Sequence, residues 1–143
     1  MNVYSCKKGL FNVLLMCAIF TSCKQTKEED QATPTNPKLR FVASWKCTEV
    51  SSQTGAATFY VHIVDSIGDY VLIENLYNKG FNYKIKAHID GDNINVNGVQ
   101  NISGILIKNC SGKMENSTQI KMNYIADDGL NKMDTCSATL IKQ

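Results

Sequence analysis

Two histidines and six cysteines are the side chains of this 143-residue chain with the chemistry of a base, a nucleophile or a soft metal ligand. A hydrolase or transferase site needs a nucleophile, a base and a group that orients the base. Cys110 offers a thiol, but nothing near it in sequence supplies a base. His88 falls on the polar side of an alternating segment, with Lys84, Lys86 and Asp90, and His62 lies between Tyr60 and Val64. Both read as surface or lining residues, so no catalytic residue is assigned and no enzyme is expected. The oxygen-rich stretch Asp90–Gly98 invites a calcium loop, which wants ligands at alternate positions and a bidentate Glu at the twelfth. Counted from Asp90 the fifth position is Ile94, and counted from Asn93 the twelfth is Gly104. Neither register works, and no metal or cofactor is assigned.

The chain start carries a different chemistry. Lys7 and Lys8 precede an eleven-residue run, Leu10–Phe20, which is apolar apart from Asn12, and Thr21-Ser22-Cys23 follows. A charged start, a short apolar centre and small residues at the cut are the parts of a secretory signal. A membrane-spanning helix needs about 20 apolar residues, so no permanent span is expected. Phe20-Thr21-Ser22-Cys23 resembles the lipobox of bacterial lipoproteins. The resemblance implies removal of residues 1–22 and a lipid on the Cys23 sulfur, hence a membrane partner through that anchor. An ordinary secretory signal with Cys23 as a bystander is the alternative. Lys27-Glu28-Glu29-Asp30 resembles the surface-export signal of Bacteroidota lipoproteins and implies the outer membrane, facing the exterior; the alternatives are the periplasmic face and a plain solvated linker. Asp65-Ser66-Ile67 resembles the O-glycosylation motif of the same bacteria, with Ser66 as acceptor.

With residues 1–22 removed, Lys7 and Lys8 leave, and thirteen basic side chains balance thirteen acidic ones. A neutral chain argues against nucleic acid, which wants a basic patch. Residues 24–37 are polar and hold both prolines, Pro34 and Pro37; they read as a disordered tether. The division is therefore a signal at 1–22, a lipidated N-terminus and tether at 23–38, and one domain at 39–143.

That domain is a run of strands. Phe81, Tyr83, Ile85, Ala87 and Ile89 alternate with Asn82, Lys84, Lys86, His88 and Asp90, the pattern of a strand with one wet face. Asp90-Gly91-Asp92 is a hairpin turn, and Ile94 and Val96 then point inward. Strands are predicted at 41–50, 57–65, 70–76, 82–89, 93–99, 104–109, 119–125 and 134–141, with turns between them that include Asn97-Gly98, Ser111-Gly112 and Asp127-Asp128-Gly129. Eight short strands joined by tight turns predict an all-β fold. We expect a single antiparallel up-and-down β-barrel, which leaves no edge exposed; a β-sandwich is the alternative. A closed meander makes the first and last strands neighbours. Cys47 and Cys136 are then expected to form a disulfide, which needs Cα atoms about 5.5 Å apart, with Cys110 left over. Three buried thiols packing as small hydrophobes are the alternative.

Trp45-Lys46-Cys47, Ile73-Glu74-Asn75-Leu76, Asn123-Tyr124 with Asp127-Asp128-Gly129, and Cys136-Ser137-Ala138-Thr139-Leu140-Ile141-Lys142 together resemble the small lipocalin-like barrels of Bacteroidota lipoproteins. That resemblance implies a non-enzymatic barrel with a small apolar or sugar-like ligand. Tyr60, Tyr70, Tyr77, Tyr83, Tyr124 and Trp45 are amphipathic rings suited to such a pocket. The alternative is a protein-binding module, an inhibitor or adhesion domain, with a solid core.

Overall fold

Phe59 and Val61 are buried while Tyr60 between them is exposed, and the same alternation runs through β1 (Ala43–Ser51), β2 (Gly55–Asp65), β8 (Gln119–Asp127) and β9 (Met133–Lys142). One apolar face in each strand can be hidden only if the sheet curls around it. The structure is a computed structural model that describes residues 36–130 and 132–143. Cys23 and the Lys27–Asp30 segment lie outside the described residues. Between β2 and β8 come β3 (Tyr70–Glu74), β4 (Lys84–Asp90), β5 (Asn93–Asn95), β6 (Gln100–Ile102) and β7 (Ile105–Asn116). The strand order is β5-β4-β3-β2-β1-β9-β8-β7-β6, all antiparallel, and β5 also pairs with β7. That last pairing closes the sheet into an eight-strand barrel with β6 as one extra strand, the expected closed all-β fold. Among the described residues no helix is long and apolar enough to cross a membrane.

The strand missed in sequence is β6, and the strand misjudged is β7. Ser111-Gly112 is not a turn: β7 runs straight through it to Asn116. Asn109, at φ 49, marks the shift in register between Lys108 and Ser111, where one residue is accommodated as a bulge. One edge of β7 pairs first with β6 and then with β5. Gln100 bridges to β4 with its side chain, whose Nε2 donates to the Lys86 carbonyl at 2.7 Å while its Oε1 accepts from the Lys86 amide at 2.8 Å. The amide group stands in for a strand.

One end of the barrel is plugged. A 3-10 turn at Pro37–Arg40 lies across it, followed by Phe41, and Trp45 Nε1 donates to the Phe41 carbonyl at 2.9 Å. Lys38, placed in the tether by sequence, is buried here. Its Nζ reaches the carbonyls of Ser66 and Gly68, both at 2.7 Å, and Asp65 at 2.6 Å. Arg40 holds the β4–β5 turn through Asp92 at 2.5 Å and the Gly91 carbonyl at 3.1 Å. Residues of all eight barrel strands then fill the axis, among them Phe59, Ile73, Ile85, Ile94, Ile107 and Leu140.

The first and last strands are neighbours as expected, but the disulfide is not made. Cys47 is opposite Leu140 and Cys136 is opposite Ser51. Four residues of offset is about 13 Å along a strand, beyond the roughly 7 Å that a bridge can span. Cys47, Cys110 and Cys136 are free and buried. A second departure is at β4, which starts at Lys84. Tyr83 N donates to the Gly80 carbonyl at 3.1 Å, so a turn claims Phe81 and Tyr83, and both are exposed rather than inward.

The mouth of the barrel as candidate functional site

Opposite the plugged end, the β1–β2 turn, the segment between β3 and β4, and the β8–β9 turn surround a hollow of about 280 Å3, walled by Tyr77, Ile105, Ala126, Asp128, Lys132 and Asp134. Asp134 is the centre of this mouth. It sits in the inward phase at the start of β9 and is only 3% exposed. Its carboxylate accepts from Ser51 Oγ at 2.5 Å, Tyr77 OH at 2.9 Å, Ser52 Oγ at 3.0 Å and the Gln53 amide at 3.1 Å. Burial pushes this acid up, but the donors from Ser51, Tyr77, Ser52 and Gln53 together outweigh burial and hold its pKa below the ordinary value. The charge is thus stabilised by hydrogen bonds rather than by a cation.

Tyr77 reaches Asp134 from a strained backbone. Asn75, Tyr77 and Asn78 have φ of 62, 55 and 51, a region that costs an L-residue about 1–2 kcal/mol. Asn75 offsets part of this locally: its Nδ2 donates to the Tyr60 carbonyl at 2.7 Å and its Oδ1 accepts from the Gly80 amide at 2.6 Å. The Tyr77 ring also meets the edge of Tyr124, with centroids 6.3 Å apart.

Below the mouth, Tyr124 OH donates to the buried carboxylate of Glu49. Burial pushes the Glu49 pKa up, the Tyr124 hydrogen bond opposes that, and the nearby Asp134 adds to the rise. A raised folded pKa contributes stability that is complete below the unfolded value and is lost as pH rises through the folded one. Glu49→Gln is therefore expected to raise thermal stability at neutral pH, with the gain disappearing near pH 4, around or below the ordinary glutamate value. Unfolding followed across that pH range checks this, and a pH-independent difference would refute it.

The residues weighed as nucleophile and base are kept apart. Cys110 faces the interior at 2% exposure. His62 is on the outer face, stacked on Phe81 with centroids 4.4 Å apart and 3.6 Å from Glu74, and His88 is outside against Tyr70. The sheet lies between the thiol and both imidazoles. Burial raises the thiols of Cys47, Cys110 and Cys136 to about 12, so none is a thiolate at neutral pH. Of the six candidate rings only Tyr77 walls the hollow. Trp45 and Tyr124 are core, and Tyr60, Tyr70 and Tyr83 are on the outside or its margin. Ser66 is half-exposed in the β2–β3 turn, its carbonyl held by Lys38. Glu49 and Asp134 were missed in sequence, although Trp45-x-Cys47-x-Glu49-x-Ser51 and Asp134-x-Cys136-x-Ala138 put both in the inward phase.

No family model matches the chain, and no curated protein matches it in sequence. Its fold is similar to that of small barrels of known structure. A redesigned β-barrel, b11L5F_LGL, matches with a TM-score of 0.52 at 14% identity, over 76% of this chain and 96% of that one. EF1p2_mFAP2b bound to DFHBI matches at 0.51 and 16% identity, over 76% and 98%. A redesigned β-barrel, mFAP1, bound to DFHBI, matches at 0.50 and 13%, over 75% and 99%. The likeness is one of fold; two of these three structures are of proteins bound to DFHBI.

Proposed function

We propose that the chain is a lipid-anchored outer-membrane protein of the Bacteroidota surface type, whose barrel binds a small sugar-like ligand at its mouth. The observation that carries the ligand reading is the hollow of about 280 Å3 at one end of an otherwise filled barrel. It is close to the lower bound for small-molecule pockets. Its walls mix Ile105, Ala126 and the Tyr77 ring with Asp128 and Lys132. Such a wall favours a hydroxylated ring over a long apolar chain, for which the filled axis leaves no room. Native mass spectrometry of the detergent-extracted protein with mono- and disaccharides tests this. A sugar adduct that Ala126→Leu abolishes by filling the hollow is expected; a bare mass with every sugar, or an adduct indifferent to that substitution, would overturn it.

The filled axis also favours a second reading, a protein-binding module, supported by Leu130 at 78% and Met133 at 61% exposure beside the mouth. The anchor reading rests on Phe20-Thr21-Ser22-Cys23, the export reading on Lys27, Glu28, Glu29 and Asp30, and Ser66 stays the candidate sugar acceptor in an accessible turn. A lipid anchor binds through about 0.8 kcal/mol per buried methylene. Cys23→Ser is accordingly expected to move the protein from the membrane pellet to the soluble fraction, and retention in the pellet would refute the anchor.

A further inference from the structure

The outer face beside the seam where β5 meets β7 holds a second hollow, of about 440 Å3, remote from the mouth, with Gly112 in its floor. Cross-strand register arranges its polar side chains in two rows. One row runs Asn93, Lys113, Lys121, Thr139, and the next runs Asn95, Ser111, Asn123, Ser137. Lys113 and Lys121 are directly opposite each other, and among the described residues neither has a carboxylate within ion-pair distance. Like charges so placed destabilise a strand pair, and among the described residues no ion pair offsets them. Glu115 shares the hollow without forming an ion pair. Asn123 accepts from Ser137 Oγ at 2.7 Å and Asn93 donates to the Asp90 carbonyl at 3.3 Å; the Asn95 and Ser111 side chains make no hydrogen bond among the described residues.

We propose that this face binds an acidic oligosaccharide, whose acid groups lie between Lys113 and Lys121 and whose hydroxyls meet the Asn95, Ser111 and Asn123 row. Three strand spacings span roughly 14 Å, room for two or three linked rings. A free phosphate would use one row and leave the other idle. Nucleic acid would want aromatic platforms, and a protein partner an apolar anchor; the hollow's walls contain neither.

Calorimetric titration of the full-length protein with a short oligogalacturonate tests the assignment, with the methyl-esterified oligomer and inorganic phosphate as controls. Saturable binding is expected, weakened about tenfold or more by esterification or by Lys113→Gln with Lys121→Gln, a loss that corresponds to about 1.4 kcal/mol. The ligand-free Lys121→Gln protein is expected to melt at a higher temperature than the wild type, because the repulsion is gone. That rise separates a binding lysine from a structural one and shows that the variant folds. Ala126→Leu at the mouth is expected to leave this binding unchanged. Equal binding of the esterified oligomer, indifference to the lysine substitutions, or binding only to vesicles of anionic phospholipid would overturn the proposal.

Discussion

Gly112→Ala is expected to destabilise the protein by about 3 kcal/mol, the upper part of the range for overpacked sites. For a domain of this size that is a fall of roughly 15 °C in melting temperature. The reason is steric, not conformational. A Cβ at Gly112 would stand 2.6 Å from Met122 Cγ, 2.7 Å from the Lys121 carbonyl oxygen and 3.0 Å from Ile94 Cγ2. The Met122 side chain can turn away. The Lys121 carbonyl cannot move without prising β8 from β7, and Ile94 sits on β5, which closes the barrel. One methyl group therefore presses on three strands at once. Urea denaturation of the variant beside Ser111→Ala, its outward-facing neighbour, checks the claim. Two midpoints within error of the wild type would mean that the seam is looser than its geometry implies.

Asp134→Ala is expected to cost about 3 kcal/mol at neutral pH, in line with removal of one partner from a buried charged network. The substitution strands Ser51, Ser52, the Gln53 amide and Tyr77 together. It frees the β1–β2 turn and the strained Tyr77 segment, so the hollow loses both its floor and one wall. The pH dependence gives a sharper test than the size. A lowered folded pKa means stability present above the unfolded carboxylate value and lost as pH falls through the folded one. The gap between wild type and Asp134→Ala is therefore expected to narrow in acid, as is the Glu49→Gln gap, but the two have opposite signs. Asp134→Ala is less stable than wild type and Glu49→Gln more stable, although Glu49 lies opposite Ala138, only four residues along β9 from Asp134. A gap that stays constant down to acid would assign the cost to packing alone.

Most of the fold could be read from alternation. The Asp90-Gly91-Asp92 turn, the inward Ile94 and Val96, and the meeting of first and last strands all follow from local pattern and strand count. Three features did not, each for a physical reason. Gly112 and Asn109 have turn chemistry, yet Gly112 is there because neighbouring strands crowd it, a tertiary fact with no local signal. Phe81 and Tyr83 continue the alternation of β4 past its end, because a hydrogen-bonded turn overrides the pattern. The Cys47–Cys136 bridge failed on register: strand order was legible, but the offset of four residues was not. At the mouth, the inward phase exposes Glu49 and Asp134 as anomalies in an apolar series. What they bind was hidden, since Ser51 and Asp134 are 83 residues apart and Tyr77 reaches Asp134 from a left-handed backbone that its residue type does not announce.

The pairing of β1 with β9 governs when this protein can become itself. Trp45 lies opposite Lys142, so the first strand has no partner on that side until β9 is available. A chain that emerges N-terminus first from a ribosome must carry β1 as an open edge until β9 follows. Contacts this distant in sequence form late and slowly. The wall thus closes only once β9 is in place, a timing written into strand order.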